Sequence, residues 1–250
     1  MAQNIAKSLH ESTVEELPPG EAPIISIFTG HYGSGKTEVA VNTAINMTSQ
    51  YKENVLIDID VVNPFYRSSE LQSVLIDAGI HLIAPNFAFS NMDLPSLPPE
   101  IQGVFSKTGA HIVFDVGGDE NGAKVLGVFN SYFKEHPYNM YLVINTRRHL
   151  TQTKEQVLDM IEQIEKTSRL KITHLVPNTN LGVETSIEHV LEGIEIGTQV
   201  SRETGIPIAF IGVLDTLISE ELETLIKTEY DIDMITRPIK RYLTHWHGRS

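Results

Sequence analysis

Short runs rich in Ile and Val, apolar at consecutive positions, alternate along the chain with longer stretches whose apolar residues return every three or four positions. The runs are Ile24 to Thr29, Asn54 to Ile59, His81 to Ala84, His111 to Val116, Tyr141 to Asn145, Ile172 to Val176 and Ile208 to Val213. A strand that is apolar on both faces is covered on both faces, whereas a half-solvated antiparallel strand alternates. Helical periodicity fills the gaps, at Thr37 to Gln50, Ser69 to Ala78, Gly122 to Lys134, Thr151 to Lys166, Thr185 to Thr204 and Ser219 to Tyr230. Repetition of strand, helix and strand predicts the α/β class: a doubly wound, mostly parallel sheet with helices on both faces, in three layers. Ligands of such sheets sit at the carboxyl ends of the strands.

Three segments break the rhythm. Residues 1–22 lack sustained periodicity and end in Pro18, Pro19 and Gly20, which predicts a flexible tail before a domain over residues 23–233. Pro85 to Glu100, with Pro95, Pro98 and Pro99, reads as a long surface loop, either a plain connector or a functional lid. Residues 234–250 place Ile235, Ile239, Tyr242, Leu243 and Trp246 at helical spacing beside Arg237, Lys240, Arg241 and Arg249. That pattern predicts a basic amphipathic helix, docked on its own domain or touching anionic lipid.

Composition narrows the functions. The 250 residues carry 19 Lys and Arg against 32 Asp and Glu, a net charge of −13, which argues against an unassisted grip on nucleic acid. There are no cysteines, so disulfides, thiolate nucleophiles and Cys-held zinc or iron–sulfur centres are excluded. The start carries acids and no apolar leader, and no window supplies roughly 18 uninterrupted apolar residues, so a cytoplasmic protein is expected. His81, His111 and His174 open or interrupt strands without metal-like spacing and read as structural.

The chemistry begins after the first run. Gly30-His31-Tyr32-Gly33-Ser34-Gly35-Lys36-Thr37 satisfies G-x-x-x-x-G-K-[ST] between an apolar strand and a helix. Glycines let backbone N–H groups converge on phosphate oxygens, and the helix N-terminus adds partial positive charge at the same point. Lys36 is placed to reach the β- and γ-phosphates of ATP, and the Thr37 hydroxyl to ligate Mg²⁺. His111 to Asp115 ends a second apolar strand in a carboxylate, followed by Val116-Gly117-Gly118. Asp115 can hold Mg²⁺ through water, and Gly118 can offer its N–H to the γ-phosphate. Leu56-Ile57-Asp58-Ile59-Asp60 puts two acids on one side of a third strand end, one to help the metal and one to orient the attacking water. A solvated acidic loop is the alternative. Arg147-Arg148-His149 follows another strand end; these residues meet an acidic partner, or Arg148 neutralises its surroundings.

Together these residues resemble the MinD/ParA-type ATPases, the deviant Walker A branch of P-loop proteins, over Ile24 to about Leu222. The resemblance rests on the phosphate loop, on Asp58 and Asp60 as the first switch, and on Asp115 to Gly118 as the second. It extends to Pro177-Asn178-Thr179-Asn180, similar to an adenine-contacting loop, and to Ile206-Pro207-Ile208 through Gly212-Val213-Leu214-Asp215. It implies that Asp60 positions the hydrolytic water and that Asn178, with the backbone near Asp215, holds adenine. It further implies slow ATP hydrolysis that switches a protein partner, and a nucleotide-dependent homodimer. His31 stands where the family has a lysine that reaches the partner's nucleotide, and Tyr32 replaces a glycine. The competing reading is an ATP-dependent small-molecule kinase or a ligase of the dethiobiotin synthetase kind, which shares the fold and lacks that lysine; a third is a module that binds nucleotide without hydrolysing it. The guanine signature N-K-x-D is absent, Asn178-Thr179-Asn180-Leu181 standing in its place, which favours adenine.

Overall fold

A computed structural model describes residues 22–59, 69–84, 99–118, 120–230 and 235–242. Strands β1 (Ile24–Thr29), β2 (Glu53–Asp58), β3 (Ile80–Ile83), β4 (Ala110–Asp115), β5 (Tyr138–Ile144) and β6 (His174–Pro177) form one parallel sheet in the order β3-β2-β4-β1-β5-β6. Helices α1 (Lys36–Asn46), α2 (Ser69–Asp77), α3 (Pro99–Val104), α4 (Glu120–Val128), α5 (Asn130–Glu135), α6 (Lys154–Ser168), α7 (Ile187–Thr204) and α8 (Glu220–Tyr230) make the crossovers. The last strands, β7 (Ile211–Leu214) and β8 (Thr236–Ile239), pair in parallel beside β6, to which Ile208 adds a single bridge at Leu175. The doubly wound, three-layer prediction holds.

The strands carry apolar residues on both faces because both faces are covered. One core layer joins Ile25, Ile27, Ile112, Phe114 and Leu142 to Phe129, Phe133 and Ile161. The other joins Phe28, Leu56, Val113 and Val143 to Val39, Val41 and Leu75, and extends to Ile239 of β8. All six residues of β4 are buried, as expected for the strand between β2 and β1. The predicted strands appear within three residues at either end.

Three features depart from the sequence reading. The helix expected over Gly122 to Lys134 is two helices, because buried Phe129 takes a tight turn, its N–H bonding to Leu126 three residues back. An unexpected helix, α3, opens on Pro99, a residue whose missing N–H and fixed φ suit a first helical turn; Glu100, assigned to the loop, belongs to it too. The C-terminal segment is a correction: in place of a helix from residue 234, Thr236–Ile239 is a strand. Pro238 would cost a helix interior about 3 kcal/mol but is tolerated at a sheet edge. Within this strand the Arg237 guanidinium lies 4.3 Å from the Phe210 ring centre. The tail over residues 1–21, the loop over 85–98 and Asp60 lie outside the described residues, as do residues 243–250 with Trp246.

Buried polar groups interrupt the second layer, His111 among them. His111 at the start of β4 stacks on Tyr51 and bonds Ser26 Oγ through Nε2 at 3.0 Å. Burial lowers its pKa from 6.5 to about 4, and burial also lowers that of His174. The unfolded chain therefore binds a proton between pH 6.5 and 4 that the folded chain refuses, so stability rises with pH across that window and is lost as pH falls through it. At about 1.4 kcal/mol per pH unit, His111 can contribute at most about 3 kcal/mol of this slope. Urea unfolding should show a lower midpoint at pH 4.5 than at pH 7, and His111→Gln should flatten that difference.

Candidate active site

The site is built at the carboxyl ends of β1, β4 and β2, with the β5 and β6 ends behind it. After Thr29 the chain turns through Gly33 (φ 76°) and Gly35 (φ 84°), left-handed positions that glycine occupies without strain, and enters α1 at Lys36. The turn is closed by Ser34 N–H donating to His31 C=O at 2.9 Å. Its outward carbonyls are held from behind. Arg148 Nε donates to Gly33 C=O at 2.9 Å, Asn145 Nδ2 to the same oxygen at 3.2 Å, and Asn178 Nδ2 to Ser34 C=O at 2.8 Å. In a trans peptide the C=O and the following N–H point opposite ways, so fixing the Ser34 carbonyl toward Asn178 aims the Gly35 N–H into the concave side. The N-terminus of α1 opens at the same point, where a helix concentrates its N–H groups and partial positive charge.

The hollow is lined tightly. A Cβ on Gly30 would run into the Val143 carbonyl and Ser34 Oγ, and one on Gly118 into the Gly30 carbonyl. Ser34 Oγ is fully buried with no hydrogen-bond partner among the described residues, which fits a hydroxyl that would bond a phosphate oxygen. Lys36 is buried at the same point.

The acids meet the loop in register. Asp58 and Asp115 are direct partners on neighbouring parallel strands, so their side chains leave one face together. Thr37 Oγ1 donates to Asp115 Oδ2 at 2.7 Å, and both residues are buried. A hydroxyl, two carboxylates and phosphate oxygens are the hard donors that Mg²⁺ takes, with waters completing the shell. Among the described residues no three Asp, Glu, His or Cys side chains cage a metal, so a cation here would depend on the phosphates it bridges. The residues present fit Mg²⁺ in that form.

Of the expected site residues, Gly30 through Thr37, Asp58, Asp115 and Gly118 converge. His31 and Tyr32 form the outer tip of the loop, His31 Nδ1 lying 3.0 Å from the Tyr32 carbonyl. Asp60 lies outside the described residues. Asn178, expected to hold adenine, commits its amide N–H to Ser34, with its Oδ1 against Gly212. Asp215 stands exposed in the turn after β7, its Oδ1 accepting from Thr216 N–H at 2.9 Å. Arg147 pairs with Glu192, and Arg148 serves the loop carbonyl.

Sequence reasoning missed Asn145. Fully buried at the end of β5, it donates to Gly33 and Asn180 carbonyls and accepts from Arg147 and Asn180 N–H groups, joining the phosphate loop to the β5 and β6 turns. A polar residue closing an otherwise apolar strand was the available signal.

No protein-family model matches the sequence, and no curated protein matches it. Solved structures do match the fold. The cell division protein FtsY from Thermotoga maritima is similar with a TM-score of 0.56 and 20% identity, over 84% of this chain and 68% of that one. Chloroplast FtsY from Physcomitrella patens gives a TM-score of 0.53 and 17% identity, over 84% and 66% of the two chains. The signal recognition particle 54 kDa protein from Aeropyrum pernix, solved in complex with GDP, gives a TM-score of 0.50 and 21% identity, over 84% and 47%. This chain thus spans about two thirds of the length of the two FtsY chains and under half of the third. At these identities the likeness shows the fold: the three-layer α/β/α fold of the P-loop NTPases.

The close approach of Gly118 to Gly30 makes a prediction. Gly118→Ala should lower the unfolding free energy by about 1–3 kcal/mol in chemical denaturation, through overpacking. Gly103→Ala in α3, where nothing lies within 4 Å of the added methyl, should be neutral or stabilising.

Proposed function

We propose that this chain binds ATP with Mg²⁺ and hydrolyses it slowly, as a cytoplasmic conformational switch of MinD/ParA type read by a protein partner. The observation that carries this is the phosphate loop whose carbonyls are held outward by Arg148, Asn145 and Asn178, with Thr37 already bonded to Asp115. Amides and the Lys36 ammonium supply positive charge where a triphosphate carries negative charge, and they need no reorganisation to do so. Bound Mg²⁺ would neutralise phosphate oxygens, held by Thr37 with Asp115 and Asp58. Asp60 would orient the attacking water. Gly118, backbone to backbone with Gly30, would report the γ-phosphate to the segment that follows it.

Adenine is preferred over guanine on donor and acceptor grounds. Guanine presents N1–H and N2–H donors that call for a carboxylate, and Leu181 occupies the fourth position of the loop opened by Asn178.

Phosphate release from ATP by the purified chain tests this reading. Release should proceed without an acceptor and should fall at least about a hundredfold in kcat/KM in Lys36→Ala. Asp60→Ala should abolish release while ATP still binds. Strict dependence on an added metabolite extract would overturn the switch in favour of a small-molecule kinase or ligase, and binding without any release would leave a non-hydrolysing module.

A further inference from the structure

The direction of the nucleotide follows from the placement of the acids. Asp115 and Asp58 lie on the β4 and β2 side of the phosphate loop, so the metal and terminal phosphate belong there. The nucleoside must then leave toward β5, β6 and β7, where the turns after β6 and β7 present Asn180 to Gly182 and Asp215.

The C-terminal strand ends in this same region. Beyond β8 the chain is tied to α1 by three backbone contacts. Asn42 Nδ2 donates to Lys240 C=O at 2.8 Å, and Lys240 N–H returns to Asn42 Oδ1 at 3.0 Å. Tyr242 N–H is shared by both carboxylate oxygens of Glu38, at 3.0 and 3.1 Å, in the first turn after Lys36. The Arg241 guanidinium lies against Gly182, 3.5 to 3.7 Å from where that residue's Cβ would stand. Tyr242 is half-buried against the layer containing Val39 and Phe210, and burial, with the charges of Glu38 and Asp215, raises its pKa. The backbone that carries these two planar side chains is therefore anchored to α1, with the Arg241 guanidinium beside the turn after β6 and the Tyr242 ring packed on the second layer, the Lys240 ammonium 5.2 Å from its centre.

We propose that Arg241 and Tyr242 form a C-terminal wall of the nucleobase site, contacting the base as a planar surface and determining affinity for the nucleoside rather than for the phosphates. This inference rests on the nucleotide-binding reading. It assigns a binding role to a segment whose sequence pattern pointed to an amphipathic helix. Flat aromatic and guanidinium surfaces suit stacking on any base, so the wall contributes affinity and leaves base choice to the turns.

Isothermal titration of the full chain with Mg·ATP, and separately with Mg·tripolyphosphate, separates the two claims. Tyr242→Ala and Arg241→Ala should each weaken ATP by about tenfold, equivalent to about 1.4 kcal/mol, while tripolyphosphate changes by less than about twofold. Tyr242→Phe, which keeps the ring, should bind ATP as the wild type does. Unchanged ATP affinity in both alanine variants would overturn the wall. So would equal weakening of both ligands, which would mean that the segment only props α1. Absence of binding of either ligand by the wild type would sink the nucleotide reading itself, and the wall with it.

Discussion

A phosphate loop works only if its peptide planes are turned the right way, and in this chain that orientation is enforced from outside the loop. Glycine makes the left-handed turns at Gly33 and Gly35 accessible but does not select them, since the same freedom permits many others. Selection comes from charged and amide donors on the β5 and β6 turns, which capture the Gly33 and Ser34 carbonyls and leave the Gly35 amide facing inward. Asn145 is the fixed point of this arrangement, because it bonds the loop and both turns at once from full burial. Buried, satisfied amide networks of this kind hold one geometry where an unsatisfied one would be costly.

The sheet order supplies the rest. With β4 between β1 and β2, parallel register brings Asp115 level with both Phe28 and Asp58, so the loop, the metal-side hydroxyl and two carboxylates meet without any long side chain spanning a gap. Backbone proximity does the same for Gly118 and Gly30. Packing this close leaves no room for a side chain at Gly118 and lets a displacement of one backbone be felt by the other.

The fold and the phosphate side of the site were readable because each was written locally. Continuous apolar runs marked covered strands, and Gly30 to Thr37 carried its whole chemistry in eight consecutive residues. What was not readable depended on residues far apart in sequence. Arg148 and Asn178 lie more than a hundred residues from the carbonyls they hold, and their neighbours gave no hint of those partners. Asn178 was read as an adenine contact, and its support of the Ser34 carbonyl was not foreseen. The C-terminal segment misled for a different reason: Ile235, Ile239 and Tyr242 satisfy helical spacing, yet Pro238 and the open edge of β7 favour a strand, and periodicity takes no account of an available partner.

The central claim is that the loop is held ready for a triphosphate by donors on its outer side. A crystal structure with a non-hydrolysable ATP analogue and Mg²⁺ tests it directly. The account predicts phosphate oxygens within about 3 Å of the Gly35, Lys36 and Thr37 amides, with the bonds from Arg148, Asn145 and Asn178 to the loop carbonyls unchanged. A nucleotide seated elsewhere, or a loop that binds only after those three bonds have broken, would contradict it.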